Sequence, residues 1–216
     1  MTDFTEVLDN PKYKKVLDKG FVGLIDHMGC DHDIANSARV SYGAGTKSVR
    51  QDTGLIRYLV QHDHTSPIEM GVVKLHVKMP MFVARQWIRH RTASINEVSA
   101  RYSEMKDDFY IPALENIQPQ SLVNNQGRNG QFDDYTSRNY QSMIEDVCSY
   151  AYSRYQTMIS GKDENTPGLA RELARMVLPV NLYTEFYWKQ DLKNLLHLIK
   201  LRADPHAQWE IQQYAN

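Results

Sequence analysis

A chain of 216 residues, 42% of them hydrophobic and 24% charged, can bury a substantial core and has the length of one domain. Its formal charge of -1 argues against a surface adapted as a whole to nucleic acid or anionic lipid, so any anion site is local. No apolar stretch is long enough to cross a bilayer, and the polar start Met1-Thr2-Asp3-Phe4-Thr5-Glu6 lacks the regions of a signal peptide, so a cytoplasmic protein that does not engage a membrane is expected.

In chain order, a single domain over 1–216 is expected, with 1–20 as an N-terminal extension. Phe21 to Asp26 has the composition of a strand, and Leu55, Ile56, Leu59 and Val60 recur at helical spacing. Val73, Leu75, Val77 and Met79 alternate with Lys74, His76 and Lys78, as a strand does. After Pro80, Met81 to Arg91 is expected to be helical, with Arg85, Gln86, Arg89 and His90 on one side and Met81, Ala84 and Ile88 on another. Gln118 to Asp134, rich in Asn, Gln, Gly and Asp, reads as a long mobile loop. Tyr140, Met143, Ile144, Val147, Ala151, Tyr155, Met158 and Ile159 predict a much longer amphipathic helix. A further helix is expected to begin at Thr166-Pro167 and to end before Pro179. Val180, Leu182, Thr184, Phe186 and Trp188 alternate as a strand, Asp191 to Arg202 predicts a helix, and the chain reaches Asn216 in a helical pattern. Strands among long helices, without regular βαβ alternation, predict an α+β domain whose small, mainly antiparallel sheet is covered by long helices.

From Arg85 through Arg101 the chain holds four arginines against one acid, Glu97. A local surplus of cations in a nearly neutral chain invites an anionic ligand. Ser94, Asn96, Glu97 and Ser99 add hydroxyls, an amide and a carboxylate at close intervals. Phosphate calls for forked donors and hydroxyls, and a pyrimidine or flavin edge calls for mixed donors and acceptors; this segment supplies both.

Arg89-His90-Arg91-Thr92-Ala93-Ser94-Ile95-Asn96-Glu97-Val98-Ser99-Ala100-Arg101 resembles the signature R-H-R-x-x-S-x-N-E-x-S-x-R of flavin-dependent thymidylate synthases, with every specified position present. His64-Thr65-Ser66-Pro67-Ile68-Glu69, the segment around Arg175, and Leu201 to Gln208 are similar to further elements of that family. The resemblance implies reductive methylation of dUMP to dTMP. Methylenetetrahydrofolate is the implied carbon donor, a reduced nicotinamide (NADPH) the reductant acting through FAD, and tetrahydrofolate the folate product. It implies a dUMP site of Gln86, Trp87, Ile88, Arg89, Glu97, Val98, Ser99, Ala100, Arg101, Arg175 and Arg202, with Arg202 the catalytic residue that stabilises an anionic pyrimidine. It implies FAD contacts from His64, Ser66, Arg89, His90, Arg91, Glu97, Asp191, Leu192, Lys193 and His197. It also implies a homotetramer whose sites are shared between subunits. Asp191 and Lys193 stand where the family pattern has an asparagine and an arginine, and His197 where it has an asparagine.

Two other readings of the same residues are weaker. His62-Asp63-His64 with Glu69 would suit a metallohydrolase, but two histidines without a third placed ligand are a poor metal signal, and no metal is expected. Arg85, Arg89, Arg91 and Arg101 could contact nucleic-acid phosphates, but such binding needs a larger basic footprint. His76 and Glu172 read as structural partners, and His206 and Gln208 as capping or outlying groups near Arg202. Cys148 falls on the core face of the long helix and Cys30 lies beside Asp31 and Asp33, so no protein nucleophile is expected to attack the pyrimidine.

Overall fold

The alternating segments pair into one sheet. In the computed structural model, which describes residues 7, 9–40, 49–161 and 165–216, five strands run in the spatial order β1-β2-β3-β5-β4, every neighbouring pair antiparallel. They are β1 (Tyr13–Val16), β2 (Gly20–Met28), β3 (Val72–Pro80), β4 (Ser94–Glu97) and β5 (Tyr183–Asp191). Seven α-helices surround it among the described residues: α1 (Asp31–Arg39), α2 (Val49–Gln61), α3 (Met81–Trp87), α4 (Asp134–Ser160), α5 (Arg171–Ala174), α6 (Leu192–Arg202) and α7 (Trp209–Ala215). The α+β class with an antiparallel sheet is as the sequence predicts. No described helix is long and apolar enough to cross a membrane.

Val77 and Met79 of β3 and Phe186 and Trp188 of β5 point to one face and pack beneath Val83, Ala84 and Trp87 of α3, Leu198 of α6, and Ile211 and Tyr214 of α7. Trp87 and Trp188 meet edge to face with ring centroids 5.3 Å apart. Of the polar members of the β3 alternation, Lys74 is exposed but His76 and Lys78 are buried. Lys78 is ion-paired with Asp108 at 2.5 Å, and His76 Nε2 lies 2.8 Å from Glu185 Oε1. Each side chain lost to water has thereby regained a partner, as burial demands.

A second cluster, with Met105, Phe109, Tyr155 and Leu182, lies against α4. The N-cap Asp133 accepts from Thr136 N at 2.9 Å, which starts this helix. Its apolar stripe is wider than one chain covers: Met143 is 53% exposed and Val147 60%. The helix expected from Thr166-Pro167 is shorter than its signals suggest, forming only at Arg171–Ala174 and continuing as a 3₁₀ turn over Arg175–Val177. Leu169 N donates instead to Met158 O, which holds the preceding stretch against the end of α4, out of helical geometry. The expected loop from Gln118 is irregular up to the N-cap Asp133, with Asp134 already in α4, but it is internally tied: Gln120 bridges Arg128, and Ser121 N donates to Gly127 O at 2.9 Å.

Candidate active site

The basic segment is positioned by a strand, a short helix and a second strand. Pro80 closes β3, and Met81 N and Phe82 N donate to Leu182 O and Val180 O, anchoring the start of α3. The expected helix through Arg91 stops at Trp87. Ile88 N still donates to Ala84 O and His90 N to Trp87 O, at 2.9 and 3.1 Å, but the chain then leaves to pair Ser94–Glu97 with the open edge of β5. Helical propensity yields to a ladder that only the folded sheet offers. His90 is therefore placed by the turn after α3, not by a helical face.

That turn brings together one group of the expected residues. Arg202, at the end of α6, donates from Nε to His90 Nε2 at 3.1 Å and from Nη2 to the Gln86 carbonyl at 3.2 Å. His90 faces His197 edge to face at 6.0 Å. Burial, then the charges of Arg202 and His197, hold the His90 pKa below its ordinary value; a neutral ring with its proton on Nδ1 is what an acceptor at Nε2 requires. Burial also lowers the pKa of Arg202, which nevertheless remains a cation. Gln86 Nε2 donates to Gln208 Oε1 at 2.5 Å, so Gln208, set aside in the sequence, touches a predicted site residue. Trp87 is 1% exposed and belongs to the core, whereas Ile88 and Arg89 are exposed.

A second group forms at the far end of β4. Glu97 accepts from the Thr184 hydroxyl, and Val98 N donates to Glu185 O at 2.9 Å. Ser99 O accepts from Tyr102 N and Ser103 N, and Ser99 Oγ accepts from Arg101 N at 3.3 Å, making a tight turn pinned by buried Ala100. Arg101 Nε donates to Glu172 Oε2 at 3.1 Å, and Arg175 Nε to the Glu172 carbonyl at 3.3 Å. Glu172 thus gathers two arginines of the expected dUMP site, Arg101 and Arg175, at an exposed surface, the structural part read for it. Among the described residues no hydrogen bond or ion pair joins this group to that of Arg202.

The expected flavin contacts lie on several elements. Asp63, at φ 53°, is the left-handed residue that ends α2, and His64 N donates back to Leu59 O at 2.9 Å. This cap sets exposed His64 beside Tyr58 and His62, in a cluster of rings 4.3 to 6.3 Å apart. Ser66 and Arg91 are exposed. Asp191 is the N-cap of α6, its two carboxylate oxygens accepting from Asn194 N and Nδ2 at 2.8 and 2.7 Å. Leu192 packs toward Ile34 and Ile68, Lys193 is half-buried, and His197 is exposed. A cleft of about 500 Å³ lined by Lys74, Thr92, Ser94, Lys189 and Asp191 adjoins these residues.

Neither cysteine enters these groups. Cys148 lies on the buried face of α4, where Asn181 Nδ2 donates to its sulfur at 3.1 Å and burial pushes the thiol pKa up. Cys30 is exposed and donates to Asp33 Oδ2 at 3.1 Å. Among the described residues no three His, Cys, Asp or Glu side chains gather as a metal site would.

The sequence profile of the thymidylate synthase complementing protein family matches residues 23–216. A flavin-dependent thymidylate synthase of Ruegeria pomeroyi is 56% identical over 93% of this chain and 66% of the relative. One of Thermus thermophilus is 54% identical over 96% of this chain and 73% of the relative. The chain thus spans about two thirds to three quarters of the length of these relatives. Among solved structures, a UMP/dUMP methylase, PolB from Streptomyces cacaoi, bound with 5-Br UMP, superposes with a TM-score of 0.80 at 31% identity, covering 95% of this chain and 88% of that one. The same methylase bound with 5-Br dUMP gives 0.80 at 30% identity, over 94% and 89%.

Proposed function

This chain belongs to the thymidylate synthase complementing protein family, and from that premise we propose that it is a flavin-dependent thymidylate synthase that methylates dUMP to dTMP in the cytoplasm. The carbon donor is methylenetetrahydrofolate, the reductant NADPH, and the resident cofactor FAD. The flavin dependence is in the names of the relatives, and the UMP/dUMP methylase structures hold bromo-uridylates.

Arg202 carries the reading. Arg202 is half-buried, and its two acceptors among the described residues are neutral, a ring nitrogen and a backbone carbonyl. A cation held without a neutralising carboxylate is suited to stabilise negative charge developing on a uracil ring. Arg101 and Arg175 bind the phosphate of dUMP, and Gln86, Arg89, Glu97 and Ser99 orient the nucleotide. The exposed cations Arg89 and Arg91 and the ring cluster of Tyr58, His62 and His64 suit the anionic and aromatic parts of FAD. When bound, FAD supplies hydride chemistry that no side chain can. No cysteine attacks the pyrimidine, since the one buried thiol is held protonated in the core.

The active unit is a homotetramer. Two features support sharing of sites: the nucleotide residues fall into two unlinked groups within one chain, and α4 leaves Met143, Val147 and Tyr150 exposed beside an apolar cleft of about 630 Å³. A second copy of this chain is the proposed occupant of that face.

The test is purification with FAD, an absorption spectrum before and after adding dUMP, and an assay for dTMP and tetrahydrofolate with methylenetetrahydrofolate and NADPH. A flavin spectrum perturbed by dUMP, with both products formed, is expected. Protein that takes up no FAD and makes no dTMP would overturn the proposal.

A further inference from the structure

Gln86 comes to the proposed nucleotide site with one end of its amide already engaged. Its Nε2 donates to Gln208 Oε1 at 2.5 Å, and Gln208 Nε2 donates to Glu210 Oε2 at 2.9 Å. Glu210 is 3% exposed. Its other oxygen is ion-paired with Arg128 Nη1 at 3.0 Å and accepts from the Tyr110 hydroxyl at 3.4 Å. Arg128 is itself fixed, donating to Asn116 O at 2.9 Å with its guanidinium 5.3 Å from the Trp209 ring centroid.

The direction of each bond follows from the buried end. An ion-paired carboxylate only accepts, so Gln208 must turn its NH2 to Glu210 and its carbonyl to Gln86. Gln86 must then give its NH2 to Gln208. Reversing Gln86 alone would set two carbonyl oxygens at hydrogen-bond distance, and reversing both amides would set a carbonyl against the carboxylate of buried Glu210; each opposes acceptor to acceptor.

We infer that Gln208 and Glu210 are positioning residues that hold the Gln86 amide with its oxygen toward the nucleotide, so that Gln86 recognises a hydrogen-bond donor, a sugar hydroxyl or ring N–H, and not a phosphate or carbonyl oxygen. The inference rests on the reading that Gln86 faces dUMP. It also gives the irregular segment before α4 a task, because Arg128 from that segment holds the buried end of the chain of bonds.

The experiment is a dUMP titration of flavin-loaded protein, followed by flavin absorbance, for the unaltered chain, Gln86→Ala, Gln208→Met and the pair. Gln208→Met keeps the side-chain length and removes both bonds. It should weaken dUMP about five- to tenfold alone, and by less than about twofold once Gln86 is alanine, with melting temperature and flavin occupancy held. The same loss in both backgrounds would overturn the inference. Glu210→Gln, which can donate as well as accept, should reproduce the loss, and the Gln208 series decides alone where that variant fails to fold. Of two nucleotides each lacking one donor, 2′,3′-dideoxy-UMP and N3-methyl-dUMP, one should bind Gln86→Ala and the unaltered protein equally; if Gln86→Ala weakens both as it weakens dUMP, the donor assignment is wrong. Flavin-loaded protein that binds no dUMP at all overturns the nucleotide reading and the inference with it, an outcome distinct from equal losses.

Discussion

Around Arg202 the fold supplies a neutral imidazole and a backbone carbonyl, whereas around Arg101 it supplies the Glu172 carboxylate. Arg202 is half-buried at the end of a helix packed on the sheet; Arg101 sits in an exposed turn, 55% of its side chain open to solvent. An exposed ion pair is worth about 0 to 1 kcal/mol, so exchanging Glu172 for a phosphate costs Arg101 little. A guanidinium withdrawn from water without a counter-ion gains most when negative charge develops beside it. On the proposed function, the same type of side chain serves binding in one group and activation in the other.

The contrast is broken most directly at the arginines. Arg202→Ala should lower turnover per bound flavin by about a hundredfold or more while FAD occupancy changes little. Arg101→Ala should instead raise the dUMP dissociation constant about ten- to a hundredfold with kcat within about threefold. Steady-state kinetics and flavin content on both variants check this, and equal loss of kcat in the two would erase the distinction.

A smaller effect should come from pH, through the imidazole that accepts from Arg202. The folded protein holds His90 below the pKa it has when unfolded. As pH falls from about 6.5, the unfolded chain takes up this proton first, so the fold loses stability until the lower, folded pKa is passed. His90→Asn should therefore show a smaller drop in melting temperature between pH 7.5 and 5.5 than the parent. An unchanged drop would show that His90 does not stay neutral for Arg202.

The smallest effect sharpens the view that the arginines act without a thiol. A Cys30→Ala, Cys148→Ala variant should still make dTMP in the presence of flavin, with a stability loss of about 1 kcal/mol from the core position. A folded, FAD-loaded variant without activity, or a covalent cysteine–dUMP adduct trapped in the parent, would restore the nucleophile.

Much of this architecture is legible in the residues alone. The cores of α2 and α4 and of β3 and β5 follow from apolar residues that recur with the period of the element, a property carried by each segment without reference to the rest. The signature from Arg89 to Arg101 likewise shows its chemistry in its composition. The helix Asp31–Arg39 is not foreseen, and two further unforeseen elements exist only through a partner. Tyr13–Val16, with two lysines among four residues, is a strand because it pairs with β2, and exposed Ser94–Glu97 because it pairs with β5. That second pairing is also why the helix stops at Trp87. In the same way Leu169 N reaches back to Met158 O, and the expected helix begins at Arg171.

Residue type and local period therefore determined the long helices, the central strands and which side chains bring cations and amides. The tertiary structure decided which of those side chains meet: Arg202 crosses 112 positions to His90, and Gln208 crosses 122 to Gln86. No periodicity encodes such a pairing, because it depends on how elements distant in the chain pack against one another.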